Sequence, residues 1–327
     1  MLKRKFSTVS DSIQKVLVQM THLDMFGVKP TKGLDVKGWI ANQNYLFDYD
    51  LTPTAFSMRT SDKSNLSLAL ANDCNRMAMA AIESAAGVRI DDPFKNSGAW
   101  AIIRVYYATF FAAHSIMRMY GISCCQLESI HTSKVFQMAD LLGKTGGEKN
   151  IENGFYAIQI DKKYENLNFV KYKDSHKDTW DCFLRLITNI VGDINGVTAL
   201  DQYKLEATDI LLSIKHGLVR GGRNGGNWLS QIRNSVNYQH SHGVWYPYER
   251  KTVAPQHIIK LATVWTKPPS AINHRIRKGD IEAFFDLSAS ILSLFKTLLT
   301  SCINKCGSEK TIFTNGSYRQ LNSVQLA

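Results

Sequence analysis

The sequence predicts a mainly α-helical protein with one or two short β-hairpins. Long segments repeat apolar residues at helical spacing, whereas only two segments alternate apolar and polar residues as strands do. The 327 residues are 44% hydrophobic, which is enough to bury a sizeable core in one large domain or two modest ones. We find no internal repeat and no low-complexity tract.

Two helices are predicted in the first part of the chain. Residues 64–87 read as a helix that ends at Gly87, a residue type that favours helix ends. Residues 97–121, "SGAWAIIRVYYATFFAAHSIMRMYG", give the strongest pattern, with apolar side chains around nearly the whole circumference, Trp100 included. They predict a central buried helix, in which His114 is interpreted as a hydrogen-bonded core residue.

Five further helices and one or two hairpins complete the predicted elements. The helices are expected at about 176–192, 201–218, 230–242, 255–266 and 278–304. The last of them has acids in its first turns and Lys near its end, as the helix dipole favours. The hairpins are expected within residues 37–53 and 153–172.

Composition predicts a cytoplasmic protein without a membrane segment. No apolar run approaches eighteen residues, and the charged start of the chain is not followed by the apolar core of a signal peptide. The six cysteines form no CxxC pair, so we interpret them as reduced thiols and predict no metal and no cofactor.

Positive charge is concentrated toward the end of the chain. The formal net charge is +11, and residues 201–327 contain sixteen Lys or Arg against eight Asp or Glu. No acid occurs between Asp209 and Glu249. Such a surface attracts polyanions such as nucleic acid. A solvated basic face without a ligand would have the same composition.

A glycine-rich segment lies within this basic region. Residues 217–228, "GLVRGGRNGGNW", contain five glycines but lack the Gly-Lys-Ser/Thr ending of a phosphate-binding P-loop. We interpret them as a mobile loop that delivers Arg220 and Arg223 beside the next helix. A plain connector is the alternative.

The next predicted helix places an arginine and a histidine together. Ser230 is its predicted N-cap and Gly243 its predicted end. Within this helix Arg233, Asn237 and His240 are spaced at i, i+4 and i+7, so their side chains project within about 40° of each other. Arg233 would lie in the first turn, where a cation opposes the helix dipole unless an anion such as phosphate binds there.

Spacing alone carries little weight for this motif. Fourteen arginines and nine histidines predict about one chance occurrence of Arg followed after four to six residues by His. Arg250 and His257 are such a pair, but Pro255 between them interrupts a helix. Asn234 directly after Arg233 makes the motif rarer.

Two segments together resemble a known superfamily. "RNSVNYQH" resembles the Arg-polar-x-His signature of the higher eukaryotes and prokaryotes nucleotide-binding (HEPN) superfamily, and "WAIIRVYYATFFAAHSIMRMYG" is similar to the core helix of several of its branches. With the C-terminal amphipathic helix, the resemblance covers about a quarter of the chain. It implies a HEPN-like helical bundle at 95–310 with a large insertion at about 122–200, an N-terminal extension at 1–94 and a C-terminal tail at 311–327.

The resemblance also implies an activity. Many members are metal-independent endoribonucleases that act as dimers, often as toxins or phage-defence effectors. It implies His240 as the proton-transfer group, Arg233 as the phosphate clamp and Asn234 as a polar helper; helical phase adds Asn237 as a supporting residue.

The residue types fit this chemistry on their own. Cleavage of RNA through its 2′-OH requires a base, an acid and positive charge on the phosphate. Histidine titrates near neutral pH, and arginine holds phosphate oxygens bidentately. One imidazole does not easily reach both sides of the phosphate, which favours a twofold homodimer.

The neighbouring residues are expected to bind the RNA. They are Arg220, Arg223, His242, Trp245 and Tyr246. The aromatic residues of "VWYPYERK" could stack on unpaired bases or simply cover the core. The alternatives to a nuclease are a non-catalytic RNA-binding or adaptor protein, and an unrelated helical interaction protein. An antitoxin or another regulatory protein is a further expected partner.

Overall fold

The structure is a computed structural model that describes residues 11–31, 33–88, 97–245, 255–272 and 279–326. Within these ranges the protein is mainly helical and has one small antiparallel sheet, as the sequence predicts. The elements are, in chain order, α1 Asp11–Lys15, α2 Val36–Ala41, β1 Ala55–Arg59, α3 Lys63–Ala86, α4 Ala99–Met119, β2 Ile122–Leu127, α5 Ser129–Leu141, β3 Gly154–Ile160, β4 Asn166–Tyr172, α6 Lys177–Asp193, α7 Asp201–Leu218, α8 Trp228–Gln239, α9 Pro255–Ala262, α10 Asp280–Cys306, α11 Ile312–Asn315 and α12 Ser317–Leu326.

The four strands form a sheet in the order β1-β4-β3-β2. The hairpin predicted within residues 153–172 is confirmed as β3 and β4, in which Ile158 lies opposite Phe169. Both of these side chains are buried. Alternate residues of the strands therefore cover the core, and the other face mixes polar residues with apolar ones such as Phe155 and Val170.

The hairpin predicted within residues 37–53 is wrong. Asp35 caps α2 by accepting a hydrogen bond from the Gly38 amide at 2.6 Å, and the helix buries Trp39 and Ile40. The first part of the segment is therefore a short helix, and of the rest Leu46 forms an isolated antiparallel bridge with Arg59. The strand that follows in the chain is β1.

Helix α4 packs against α3 and α10 at the centre of the protein. Most of its residues are buried, and His114 is a core residue whose ring nitrogen contacts the Arg118 guanidinium at 3.1 Å, as expected. One residue departs from the prediction: the Trp100 side chain is 67% exposed. Its neighbours Ala99 and Ala101 are buried, so Trp100 projects from the outer side of the first turn.

Helix α10 is the second long core helix. By length and composition alone it could cross a membrane, but 72% of its most apolar window is buried inside the fold. It packs against α4, α7 and α8.

Both ends of the described chain join this core. Phe26 stacks on Phe313 with ring centroids 4.5 Å apart. Residues 311–326, expected to form a tail, contain α11 and α12 and pack against α3.

Candidate nucleic-acid interface

The helix that carries the Arg-His motif has different ends from those predicted. α8 runs from Trp228 to Gln239, so Ser230 lies inside it and Gly243 lies beyond its end. His240 terminates the helix in the left-handed conformation, with φ 52°, and its amide donates to the Ser235 carbonyl. Glycine or asparagine usually occupies such a position. His240 therefore does not continue the helical face of Arg233, and the predicted register is wrong there.

Arg233 points into the protein. Its side chain is buried, and the guanidinium carbon lies 5.1 Å from the centroid of the Tyr106 ring. Its Nε has no hydrogen-bond partner among the residues that the structure describes. The guanidinium thus contacts Tyr106 of α4 through its ring, in a cation–π contact, and through its hydroxyl.

A polar network surrounds Tyr106 at the junction of α4, α6 and α8. The Trp180 indole donates to the Tyr106 hydroxyl at 3.3 Å, and this hydroxyl lies 3.0 Å from His176 Nδ1. Burial lowers the pKa of His176, and the charge of Arg233 lowers it further, whereas the charge of Asp174 raises it in part. Neutral His176 can therefore accept the hydrogen of Tyr106, because the indole is only a donor.

Tyr106→Phe tests whether this network stabilises the fold. Removing the hydroxyl leaves the Trp180 indole and the His176 ring nitrogen without their partner, which should lower the free energy of unfolding by about 1–3 kcal/mol. Urea denaturation measures this change. Tyr107→Phe is the matched control, because no hydrogen bond of its hydroxyl is found within the described ranges; equal effects of the two substitutions would contradict the network.

His240 lies on a different surface. It is exposed, and its ring lies against Trp245 with centroids 5.9 Å apart and an interplanar angle of 29°. Trp245 in turn contacts Trp100 edge-on at 5.6 Å. Asn237 is half-buried. Within one chain, Arg233 and His240 therefore do not meet at a common phosphate.

A pocket of about 750 Å³ opens on the side of α8 opposite Arg233. Gln231 and Ser235, which line it, are each two residues from Arg233 and so project about 160° away. Four predicted site residues line this basic pocket: Arg220, Arg223, Asn234 and His242. Gln239, Ser241 and Asp280 complete its polar wall.

The glycine-rich segment places the two arginines of the basic pocket. Arg220 contacts Asp280 at 3.4 Å and lies 5.4 Å from the Trp228 ring centroid. Gly226, with φ 70°, packs so closely on α6 that a Cβ would lie 3.2 Å from the Trp180 carbonyl oxygen. The segment is thus fixed to the fold on one side, while Arg223 remains exposed.

His242 is held at the end of α8 in a strained backbone conformation, with φ 70°. The Ser235 hydroxyl donates to the Ile232 carbonyl at 2.8 Å and lies 3.0 Å from His242 Nε2. With the Ser235 hydrogen on the Ile232 carbonyl, the hydroxyl accepts a hydrogen bond from the neutral His242 tautomer that carries its hydrogen on Nε2. In that tautomer the lone pair of Nδ1 is available as a base. Burial lowers the pKa of His242, and Asp280 opposes part of that change.

One residue predicted to bind RNA, Tyr246, falls outside the described residues. Among the side chains that the structure describes, no three His, Cys, Asp or Glu residues lie close enough to hold a metal ion.

Sequence reasoning missed several residues of this interface. Trp100, His176 and Asp280 belong to α4, the start of α6 and the start of α10, far from the motif in the chain. No sequence signal distinguished them, since Trp100 fits the apolar pattern of α4 and the other two lie at helix starts.

Comparison of the chain with protein-family models, with curated proteins and with solved structures found no match. The HEPN resemblance therefore rests on the residues of the two motifs alone. The functional interpretation of the residues around α8 rests on the geometry described above.

Proposed function

We propose that the protein binds RNA through the basic pocket beside α8. The observation that carries this proposal is that Arg220, Arg223 and His242, from two loops, line one open pocket together. Arginine holds phosphate oxygens through paired hydrogen bonds and stays charged at every physiological pH.

The surrounding residues support a phosphate-bearing ligand. Asn234 and Gln239 supply amide donors, and the chain from residue 210 to 248 contains no carboxylate. Asp280 is the acid of the pocket wall, and its contact with Arg220 orients that guanidinium. A polyanion gains more from the two arginines and the basic surroundings than it loses to one carboxylate.

A second candidate function is metal-independent cleavage of the bound RNA, and the position of His242 in the pocket, in contact with Ser235 through Nε2, favours it. Nδ1 of neutral His242 would take the proton of a ribose 2′-OH, whose oxygen attacks the phosphorus. The bond to the 5′-oxygen breaks and that oxygen is protonated, which gives a 2′,3′-cyclic phosphate and a 5′-hydroxyl. The arginines would stabilise the charge on the phosphate.

This candidate differs from the roles that the resemblance implies. Arg233 and His240 face different surfaces, so the proton transfer is assigned to His242 and the clamp to Arg220 and Arg223. A homodimer would supply a second imidazole for the leaving oxygen. A cytoplasmic toxin or phage-defence role, with an inhibiting partner protein, belongs to the same proposal.

RNA binding is tested with arginine variants. Arg223→Ala should weaken the affinity for RNA about ten-fold, because one charge-assisted contact to phosphate is lost. Fluorescence anisotropy with labelled RNA measures it. Arg319→Ala, which removes an exposed arginine from α12, should bind as the wild type does. Equal affinities of all three proteins would contradict the proposal.

A further inference from the structure

Trp100 is exposed at the start of a helix that is otherwise mostly buried. Its exposed fraction of 67% contrasts with 0% for Trp39 and Trp180. Tryptophan forgoes a large hydrophobic stabilisation when it remains in water, and exposed aromatic residues in contact with each other are typical of binding surfaces.

Trp100 belongs to a set of three aromatic rings that we call the aromatic surface: Trp100, Trp245 and His240. Trp245 is fixed, because its indole donates to the Val236 carbonyl at 2.7 Å. Trp100 contacts the Trp245 ring edge-on, with an interplanar angle of 80°, and His240 lies against the face of the Trp245 ring. The left-handed conformation of His240 is what turns its ring toward Trp245.

The aromatic surface adjoins the basic pocket. Gln239 and Ser241 line the pocket, and His240 between them contacts Trp245. The short segment 239–241 thus lies between the aromatic surface and the pocket that contains Arg220 and Arg223. A molecule that matches both carries negative charge and flat aromatic groups side by side, as single-stranded nucleic acid does.

We propose that the aromatic surface stacks on an unpaired base of a single-stranded RNA whose backbone phosphate lies in the basic pocket. This inference rests on the proposed function and adds the class of RNA. An A-form duplex keeps its bases stacked inside the helix, so it cannot present a base face to Trp100. The binding mode is stacking, which tolerates many sequences because every base has a π face.

Trp100→Ala tests the aromatic surface. With a short labelled oligoadenylate, its affinity should be about ten-fold or more below that of the wild type. With the duplex of oligoadenylate and oligouridylate, the two proteins should bind equally. Trp100→Phe keeps a stacking ring and should retain most of the affinity. Tyr49→Ala, which removes a 75%-exposed aromatic from the loop before β1, is the control.

A second comparison separates this inference from the proposed function. If Arg223→Ala weakens binding but Trp100→Ala does not, the aromatic surface is overturned and the basic pocket stands. If neither substitution changes the affinity, both proposals fall. RNA in which abasic sites replace the bases should bind the wild type more weakly than intact RNA does. With this abasic RNA, Trp100→Ala should lower the affinity little further, because the two changes remove the same contact.

Discussion

His242→Ala is expected to lower the rate of RNA cleavage in the presence of EDTA by about 10²–10⁴-fold, if the protein cleaves RNA through the basic pocket. The substitution removes the imidazole whose Nδ1 would take the 2′-OH proton, and it leaves Arg220 and Arg223 in place. Single-turnover cleavage of labelled RNA measures the chemical step, and the products should carry a 2′,3′-cyclic phosphate. DNA, which has no 2′-OH, should stay intact.

His216→Ala is the matched control, because His216 is exposed in the last turn of α7 and does not line the basic pocket. It should cleave as the wild type does. Loss of cleavage in His240→Ala with full activity in His242→Ala would instead assign proton transfer to the residue that the HEPN resemblance implies. If the wild type binds RNA tightly and never cuts it, the cleavage proposal is wrong and the protein is a non-catalytic RNA-binding protein.

Cleavage should also depend on pH in a definite direction. A base acts only when it is neutral, so activity is lost as pH falls through its pKa. Burial lowers the pKa of His242 from its ordinary value of 6.5. The acid limb of kcat/KM should therefore lie below pH 6.5. An acid limb above that value would show that another group takes the proton.

Trp180→Ala should have the largest effect on stability, lowering the free energy of unfolding by about 3–5 kcal/mol. Trp180 is fully buried, packs against Phe110 and Phe183, and donates its indole hydrogen to Tyr106. Truncation would leave a cavity at the junction of α4 and α6 and would remove the indole donor from the Tyr106 hydroxyl. Urea denaturation measures the change.

Trp100→Ala is the contrasting substitution for this experiment. Because the Trp100 side chain is mostly exposed, its removal should change the free energy of unfolding by only about 0.5 kcal/mol or less. For RNA affinity the order should be reversed, with the larger loss in Trp100→Ala and the smaller in Trp180→Ala. Similar losses of stability would mean that Trp100 is a core residue, as the sequence alone predicts.

Periodicity predicted the elements that depend on local sequence. α6, α7 and α10 begin and end within two residues of the predicted bounds, and the β3–β4 hairpin is where alternation placed it. These segments bury one continuous stripe or face, so the pattern of apolar residues reports their structure directly. β1 and β2 were missed because each is short and is stabilised by pairing with a distant strand.

The candidate site was harder to predict, because it depends on backbone conformations and long-range contacts. His240 and His242 both adopt positive φ, which residue type does not indicate outside glycine and asparagine. That break in the helix turns His240 toward Trp245 and brings His242 beside Arg220. The site predicted from the sequence and the proposed pocket share the segment around α8, but they assign the proton transfer and the phosphate contacts to different residues of it.

The slope of RNA affinity against salt concentration tests the basic pocket most directly. Each phosphate contact that is lost should reduce the magnitude of the slope of log K against log salt by about 0.7 for a single strand. The double variant Arg220→Ala/Arg223→Ala should therefore have a slope about 1.4 smaller than that of the wild type. An unchanged slope would contradict phosphate binding at this pocket.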